Sequence, residues 1–224
     1  MIKRIGLAIA FFTILLSFHS CDKEELCAID VTVSNPLEYC FLVAGHTYGD
    51  PFNWVDGLFP DFMLKFPFIN AYPKIELGVF TGDIIPKDQD YRWDFALRDI
   101  GELNFPVHLA AGNHDLGYTI WYDRFGYYYK SFFQHEDLFI ILMPGLDWNI
   151  VAKQLIFLKN TLQYDGPRAR NIFIFHHELI WWSPDGDFSG VEINYSGHYP
   201  GETNFWNEVV PLFEILNKPC YFFA

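Results

Sequence analysis

Cysteine and positive charge are both scarce in this 224-residue chain. It holds four cysteines, and no two of them have the Cys-x-x-Cys spacing typical of zinc or redox motifs. Lysine and arginine together number 15 against 28 aspartate and glutamate residues, which gives a formal net charge of −13. A nucleic-acid partner requires basic surface to neutralise its phosphates, so this balance argues against a nucleic-acid-binding protein.

The N-terminus holds an apolar run that is too short to cross a bilayer comfortably. This run, residues 5–18, follows two basic residues and ends shortly before Cys21, whereas a spanning helix needs about 20 apolar residues. The pattern is typical of a bacterial lipoprotein signal, with cleavage before Cys21 and lipid attached to its thiol. We therefore expect a signal peptide at 1–20, a charged tether at 21–36 and lipid anchoring in the bacterial cell envelope, at the periplasmic face or the cell surface.

Apolar residues are abundant elsewhere, at 51% of the chain, and 20% of all residues are aromatic. This supply suffices for the core of one domain, which we place at 37–224. Strands are predicted near 40–44, 77–81, 106–111, 138–143, 171–176 and 219–224, and helices near 88–101, 151–163 and 205–216. The order predicts an α/β domain. The segment 50–72, rich in proline and phenylalanine, is interpreted as a long insertion.

Several predicted strands end on side chains that can bind metal ions. These side chains are His46 after the first strand, Asp83 after the second, Asn113 and His114 after the third, and His176 and His177 after the fifth. Ligand sites in α/β sheets gather at the carboxyl ends of the strands. The sequence therefore predicts one metal-binding site built from several strand ends.

At these strand ends the chain resembles the calcineurin-like metallophosphoesterases. Gly82-Asp83 is similar to the second sequence block of that family, and Gly112 to Asp115 matches its Gly-Asn-His-Asp block in full. His176 is similar to the histidine that follows a later apolar strand. The resemblance covers roughly residues 40–224. It implies a fold of two facing mixed β-sheets flanked by helices.

The resemblance also implies a site for two divalent or trivalent metal ions. Asp83 would bridge the two ions, Asn113 and His176 would bind the second ion, and His46 would bind the first. Such a ligand set suits Mn, Fe, Zn or Ni without choosing among them. A hydroxide that bridges two ions can attack phosphorus in line while the ions neutralise the developing charge.

A proton donor is implied beside the metals. His114 would protonate the leaving oxygen, and Asp115 would fix the ring and tautomer of that histidine. His177 and His198 are weaker candidates for contact with the substrate. We thus expect a metal-dependent phosphoesterase that hydrolyses phosphomonoesters or phosphodiesters outside the cytoplasm. The identity of the ester and the oligomeric state stay open.

The first family block departs from the expected Asp-x-His. Here the stretch is Gly45-His46-Thr47-Tyr48. Either His46 keeps the histidine position and Ala44 replaces the aspartate, or His46 takes the aspartate position and Tyr48 replaces the histidine. We favour the second, because a glycine directly before the ligand suits a strand end. Since one ligand of the first metal is altered either way, a catalytically silent ligand-binding lipoprotein on the same fold is the alternative function.

The C-terminal block is the second departure. The family carries a final Gly-His-x-His block after its last strand, whereas this sequence stops within the predicted strand 219–224. We interpret this as truncation, so that the last strands are missing and 37–224 is an incomplete domain. The alternative is a protein that has lost the block.

Overall fold

Two β-sheets lie face to face in the chain. The computed structural model describes residues 38–48, 56–117, 119–143, 145, 148–181 and 203–224, and residues 39–224 cluster as one unit. One sheet has three parallel strands in spatial order, namely β1 (Cys40–Ala44), β2 (Ile75–Thr81) and β3 (Val107–Ala110). The other has four, namely β4 (Lys130–Gln134), β5 (Asp137–Ile141), β6 (Ile172–Phe175) and β7 (Cys220–Phe223).

The four-stranded sheet is mixed. Strand β4 pairs with β5 in the antiparallel direction, and the pairs β5–β6 and β6–β7 are parallel. The helices are α1 (Pro60–Met63), α2 (Phe66–Asn70), α3 (Asp90–Ile100), α4 (Ile120–Phe125), α5 (Ala152–Tyr164) and α6 (Val210–Glu214). Among the described residues, no helix is long and apolar enough to cross a membrane. The predicted α/β class, with two sheets flanked by helices, is confirmed.

Strand alternation divides the apolar side chains into three layers. Successive residues of a strand point to opposite faces of the sheet. In β5, Phe139 and Ile141 enter the layer between the sheets, whereas Leu138 and Ile140 pack towards α5 and α6. In β2, Val79 faces the other sheet and Phe80 packs towards α3. Both faces of these strands are therefore buried, as is usual in sheets covered by helices.

Some elements lie outside the predicted set. Within the predicted insertion 50–72, the short helices α1 and α2 form, each with proline in its first turn. Strand β4 was also not predicted. It joins β5 through the two-residue turn of His135 and Glu136, in which His135 has φ of 51°. Two-residue hairpins usually place Asn-Gly or Asp-Gly there, so the sequence carries a weak turn signal.

Candidate metal centre

The carboxyl ends of β1, β2 and β3 lie side by side. Because the three strands are parallel and in register, Ala44 pairs with Phe80 and Thr81 with Ala110. The loops that follow are joined by main-chain hydrogen bonds, since the amide of His46 donates to the carbonyl of Gly82 at 3.0 Å. Side chains from three separate parts of the sequence thus meet at one edge of the sheet.

Four side chains converge at this edge. His46 Nε2 lies 3.0 Å from Asp83 Oδ2. His177 Nε2 lies 3.4 Å from Asp83 Oδ1 and 3.1 Å from Asn113 Oδ1. The ligand atoms of His46, Asp83 and His177 all lie within 4.8 Å of one another. The histidine of the four-stranded sheet therefore joins ligand atoms from the three-stranded sheet.

The tautomer of His177 makes this cluster rich in acceptor atoms. Its Nδ1 lies 2.9 Å from the carbonyl oxygen of Thr81, and a carbonyl can only accept, so Nδ1 carries the proton. In the neutral ring Nε2 then presents a lone pair, and burial lowers the pKa of His177, which favours that neutral form. The lone pair faces Asp83 Oδ1 and Asn113 Oδ1, two further acceptors. A cation would satisfy all three, and a metal-binding histidine typically donates its other N–H to a carbonyl in this way.

The protonation of Asp83 also suits a ligand. Burial acts to raise the pKa of its carboxyl, but the hydrogen bond from His46 and the nearby rings of His177 and His114 hold the pKa below its usual range. The hydrogen bond to Asp83 in turn raises the pKa of His46. Asp83 is therefore ionised, and its two oxygens face two different histidines. A carboxylate in this arrangement can serve two ions.

The backbone at the cluster is strained. His46 and Asp83 have φ of 51° and 52°, values in the left-handed region that residues other than glycine rarely adopt. Non-glycine residues in this region cost free energy and concentrate at functional sites. With these backbone angles, His46 Nε2 and Asp83 Oδ2 lie 3.0 Å apart.

Two glycines permit the loops to approach. A Cβ atom at Gly82, whose φ is 96°, would lie 2.6 Å from His177 Nδ1, and one at Gly112 would lie 2.3 Å from the backbone nitrogen of Asp83. Neither distance is tolerated between non-bonded atoms. The glycine that precedes each predicted ligand is thus required by close packing at the site.

Asp115 does not orient the ring of His114, and this corrects the expected contact. Its carboxylate is buried and accepts hydrogen bonds from the amides of Ile84, Ile85 and Gly112 at 2.9, 3.1 and 2.8 Å. Burial raises the pKa of Asp115 to about 7, against these amides, which lower it. Asp115 ties the loop after β2 to the loop after β3 and so positions Asp83.

The ring of His114 is oriented by a backbone carbonyl. Its Nδ1 lies 2.9 Å from the oxygen of Pro86, so Nδ1 carries the proton and Nε2 is left for a ligand. His114 lines an open cleft of ≈ 360 Å³ together with Pro86, Lys87 and Asp88 of one loop. The cleft also includes Asn113, whose amide belongs to the metal cluster.

His176 lies apart from the cluster, which corrects its placement as the second-metal ligand. Its Nε2 lies 3.0 Å from the carbonyl of Met143, and its Nδ1 lies 3.0 Å from the backbone nitrogen of Glu178. Burial lowers the pKa of His176 to about 4, which keeps the ring neutral. Both nitrogens are therefore engaged within the protein. His177, predicted only as a weak substrate contact, lies in the cluster beside Asp83 and Asn113 instead.

Strand parity accounts for this exchange. His176 continues the alternation of Ile172 and Ile174, which face α5 and α6, whereas His177 continues that of Phe173 and Phe175, which face the other sheet. The apolar alternation of β6 carries this signal in the sequence, once the two faces of the strand are assigned. His46, Asp83 and Asn113 are brought together as expected. His198 and Cys21 lie outside the described residues.

The fold and the cluster define an α/β protein with a group of potential metal ligands at the edge of a sheet. The profile of the calcineurin-like phosphoesterases matches residues 41–219, which is most of the chain. The chain belongs to that family.

Comparison with solved structures agrees with the fold. The chain is similar to the purple acid phosphatase PPD1 from yellow lupin (Lupinus luteus) seeds, with a TM-score of 0.57 and 14% identity. The match covers 81% of this chain but only 37% of the lupin enzyme, and at this identity it shows the fold alone. Vps29 of Chaetomium thermophilum aligns with a TM-score of 0.32 and 13% identity over 61% of this chain and 60% of its own, and no argument rests on it. Curated proteins give no match.

Proposed function

We propose that this chain is a metal-dependent phosphoesterase that hydrolyses phosphomonoesters or phosphodiesters. The observation that carries the proposal is that the acceptor atom His177 Nε2 lies 3.4 Å from Asp83 Oδ1 and 3.1 Å from Asn113 Oδ1, in a cluster built from both sheets. Such atoms repel unless a cation lies among them, and Mn, Fe, Zn and Ni all accept this mixture of nitrogen and oxygen ligands. Membership in the phosphoesterase family supplies the reaction type.

The residues would divide the work as follows. Asp83, with His46 on one oxygen and His177 on the other, would hold two metal ions, and Asn113 would add a neutral oxygen to the ion beside His177. When bound, the ions would supply charge neutralisation and a nucleophilic water. As an imidazolium, protonated on both ring nitrogens, His114 would give the proton on Nε2 to the leaving oxygen, while the Pro86 carbonyl accepts from Nδ1 and keeps the ring in place.

We further propose that the protein is anchored by lipid outside the cytoplasm. The proposal rests on the short apolar run 5–18 and on Cys21, three residues after its end, and these residues lie outside the described part. Cells fed radiolabelled palmitate should label the protein, and Cys21→Ser should abolish the label and release the protein from membranes. Labelling that survives Cys21→Ser would refute this anchor.

The activity is tested by metal content and hydrolysis in one sample. The full chain, incubated with Mn²⁺ or Zn²⁺ and freed of excess ion, should retain about two ions per chain and hydrolyse p-nitrophenyl phosphate or its bis ester. A chelator should abolish turnover, and the preferred ester separates monoesterase from diesterase. A chain that binds no metal under these conditions would overturn the proposal.

The altered first block favours one alternative, a catalytically silent ligand-binding protein on the same fold. His46 is its only described ligand from the loop after β1, and the side chain is 64% exposed. An exposed histidine with no carboxylate beside it in the described part of its own loop would bind the first ion weakly. One retained ion, with no hydrolysis of either ester, would establish the alternative.

A further inference from the structure

The arginines of the described surface are all paired with carboxylates of the chain. Each arginine of the described residues has a carboxylate within 4.0 Å, the pairs being Arg92–Asp56, Arg98–Asp99, Arg124–Asp90, Arg124–Asp94, Arg168–Asp165 and Arg170–Asp137. Arginine heads so engaged are not available to an anionic ligand. Any cation that recruits such a ligand must be found elsewhere.

Lys87 is a cation at the candidate site itself. It is exposed, and it lines the same cleft as His114 and Asn113. No hydrogen bond or ion pair joins it to the rest of the described chain. It follows Pro86, whose carbonyl orients His114, so the turn that positions the proton donor also presents the ammonium group.

The carboxylate of Asp88, also in the cleft wall, is committed to the fold. It is buried, with Oδ1 accepting from the indole of Trp93 at 2.9 Å and Oδ2 from the amide of Gly117 at 3.2 Å. Its charge lowers the potential of the cleft, as do the charges of Asp83 and of a chain with net charge −13. Lys87 is the ammonium group that offsets this field for an incoming anion.

We propose that Lys87 binds a second anionic group, carried by the leaving group of the substrate. The leaving-group assignment rests on the proposed phosphoesterase function, but the anion contact does not. A phosphoryl group held beside Asn113 and Asp83 directs its ester oxygen to His114, and the remainder of the molecule extends along the cleft to Lys87. The ligand is therefore a small ester whose leaving group bears a carboxylate or a second phosphate.

The size of the cleft agrees with this ligand class. A volume of ≈ 360 Å³ lies at the lower end of the range for small-molecule sites, about 300–1,000 Å³. It accommodates a ring or a short chain between two anionic ends. The open side of the cleft leaves the ammonium group hydrated, so we expect a modest contribution to affinity and a larger one to selectivity.

Binding of three stable phosphonates tests the proposal without requiring turnover. The probes are phenylphosphonate, 4-phosphonobenzoate and benzene-1,4-bisphosphonate, which share one phosphoryl anchor and differ in the opposite group. Dissociation constants are measured by calorimetry on Mn²⁺-loaded wild-type protein, on Lys87→Gln and on Lys159→Gln. Lys159 is an exposed lysine of α5 outside the cleft, so its variant controls for loss of charge.

Wild-type protein should bind one or both doubly anionic probes about three- to tenfold more tightly than phenylphosphonate, as expected for one charged contact in a wet site. Lys87→Gln should remove this difference, and Lys159→Gln should keep it. The probe that gains more distinguishes carboxylate from phosphate.

Equal affinities for all three probes in wild-type protein would overturn the proposal. An equal loss for all probes in Lys87→Gln would also overturn it, because Lys87 would then contact the common phosphoryl group. Hydrolysis of p-nitrophenyl phosphate is measured on the same samples. Selective binding without hydrolysis would reject the phosphoesterase and retain the anion contact.

Discussion

Each end of the facing sheets holds a buried aspartate, and the two aspartates differ in how many hydrogen bonds their carboxylates accept from permanent donors. At the amino ends of the strands, Asp137 accepts from Tyr39 Oη at 2.9 Å, from Arg170 Nε at 3.0 Å and from Asn171 Nδ2 at 2.8 Å. At the carboxyl ends, Asp83 accepts one backbone hydrogen bond, from His114 at 3.2 Å. Its other neighbours are histidine nitrogens.

The difference separates a structural carboxylate from a functional one. For both groups burial acts to raise the pKa, and other interactions hold it below the usual range. For Asp137 these interactions are hydrogen bonds from Arg170, Asn171 and Tyr39. For Asp83 they are interactions with histidines. Permanent donors leave Asp137 no capacity for a ligand. Asp83 keeps a free coordination capacity, because imidazole nitrogens can release their protons and bind metal instead.

Replacing each aspartate with asparagine should affect metal affinity at one end of the sheets and the free energy of unfolding at the other. Asp83→Asn should lower metal affinity by more than about 10²-fold, since even the loss of a supporting group outside the ligand set costs 10–100-fold. Asp137→Asn should leave metal affinity intact and cost about 2–3 kcal/mol of unfolding free energy, because Arg170 loses its charged partner. Metal titration and urea unfolding on both variants check this. A metal defect in Asp137→Asn would contradict the division.

His114→Ala should slow turnover by about 10²–10⁴-fold with metal content unchanged, because the leaving oxygen loses its proton donor. The matched change at the other end is His135→Ala. His135 pairs with Glu76 at 2.7 Å on the surface, and its loss should leave turnover at the wild-type rate. Steady-state kinetics with metal analysis measures both. An unchanged rate in His114→Ala would exclude this histidine as proton donor.

The two adjacent histidines that follow β6 extend the comparison to a single pair of residues. His177→Ala should weaken metal binding by at least about 10-fold, whereas His176→Ala should spare metal binding and cost about 2–3 kcal/mol of stability. The cost of the second change arises because the Met143 carbonyl and the Glu178 amide lose a buried partner. Calorimetric metal titration and urea unfolding report the two effects. Loss of metal in His176→Ala alone would reverse the assignment.

The smallest expected effect is a pH dependence of stability, and it arises from His108, whose side chain lies between the sheets. Burial, then the charge of Lys130, lowers the pKa of His108 from 6.5 to about 4, and its ring lies 4.0 Å from that of Phe132. Because folding favours the neutral ring, its contribution is complete above pH 6.5 and is lost as the pH falls towards 4. Allowing for partial exposure, wild-type protein should lose about 1–2 kcal/mol more than His108→Phe over this interval.

Urea unfolding of both proteins at pH 7.5 and pH 5 measures that difference. His176 also favours its neutral form, but it is present in both proteins and cancels in the comparison. A His108→Phe variant with the same pH dependence as wild-type protein would show that His108 does not contribute.

Regular strands and long helices were predictable because their apolar patterns are local. Six of the seven described strands overlap predicted ones. Helix α3 lies within the predicted helix 88–101, and α5 overlaps the predicted helix 151–163 and ends one residue beyond it. Strand β4 and the helices α1, α2 and α4 were not predicted. These elements are short and depend on packing more than on local propensity, and β4 also lacks a strong hairpin turn.

Local sequence was enough to predict which residues stand at strand ends, since a glycine before Asp83 and another before Asn113 mark turns after apolar runs. Which of two adjacent histidines reaches Asp83 depends on contacts between distant segments. Strand alternation points His176 and His177 to opposite faces of the sheet, and the packing of the two sheets against each other brings the His177 face to Asp83. The tertiary structure likewise decided that Asp115 holds two loops together and that a carbonyl orients His114. Such partners are fixed by contacts between segments about 30 residues apart, a separation that local patterns do not report.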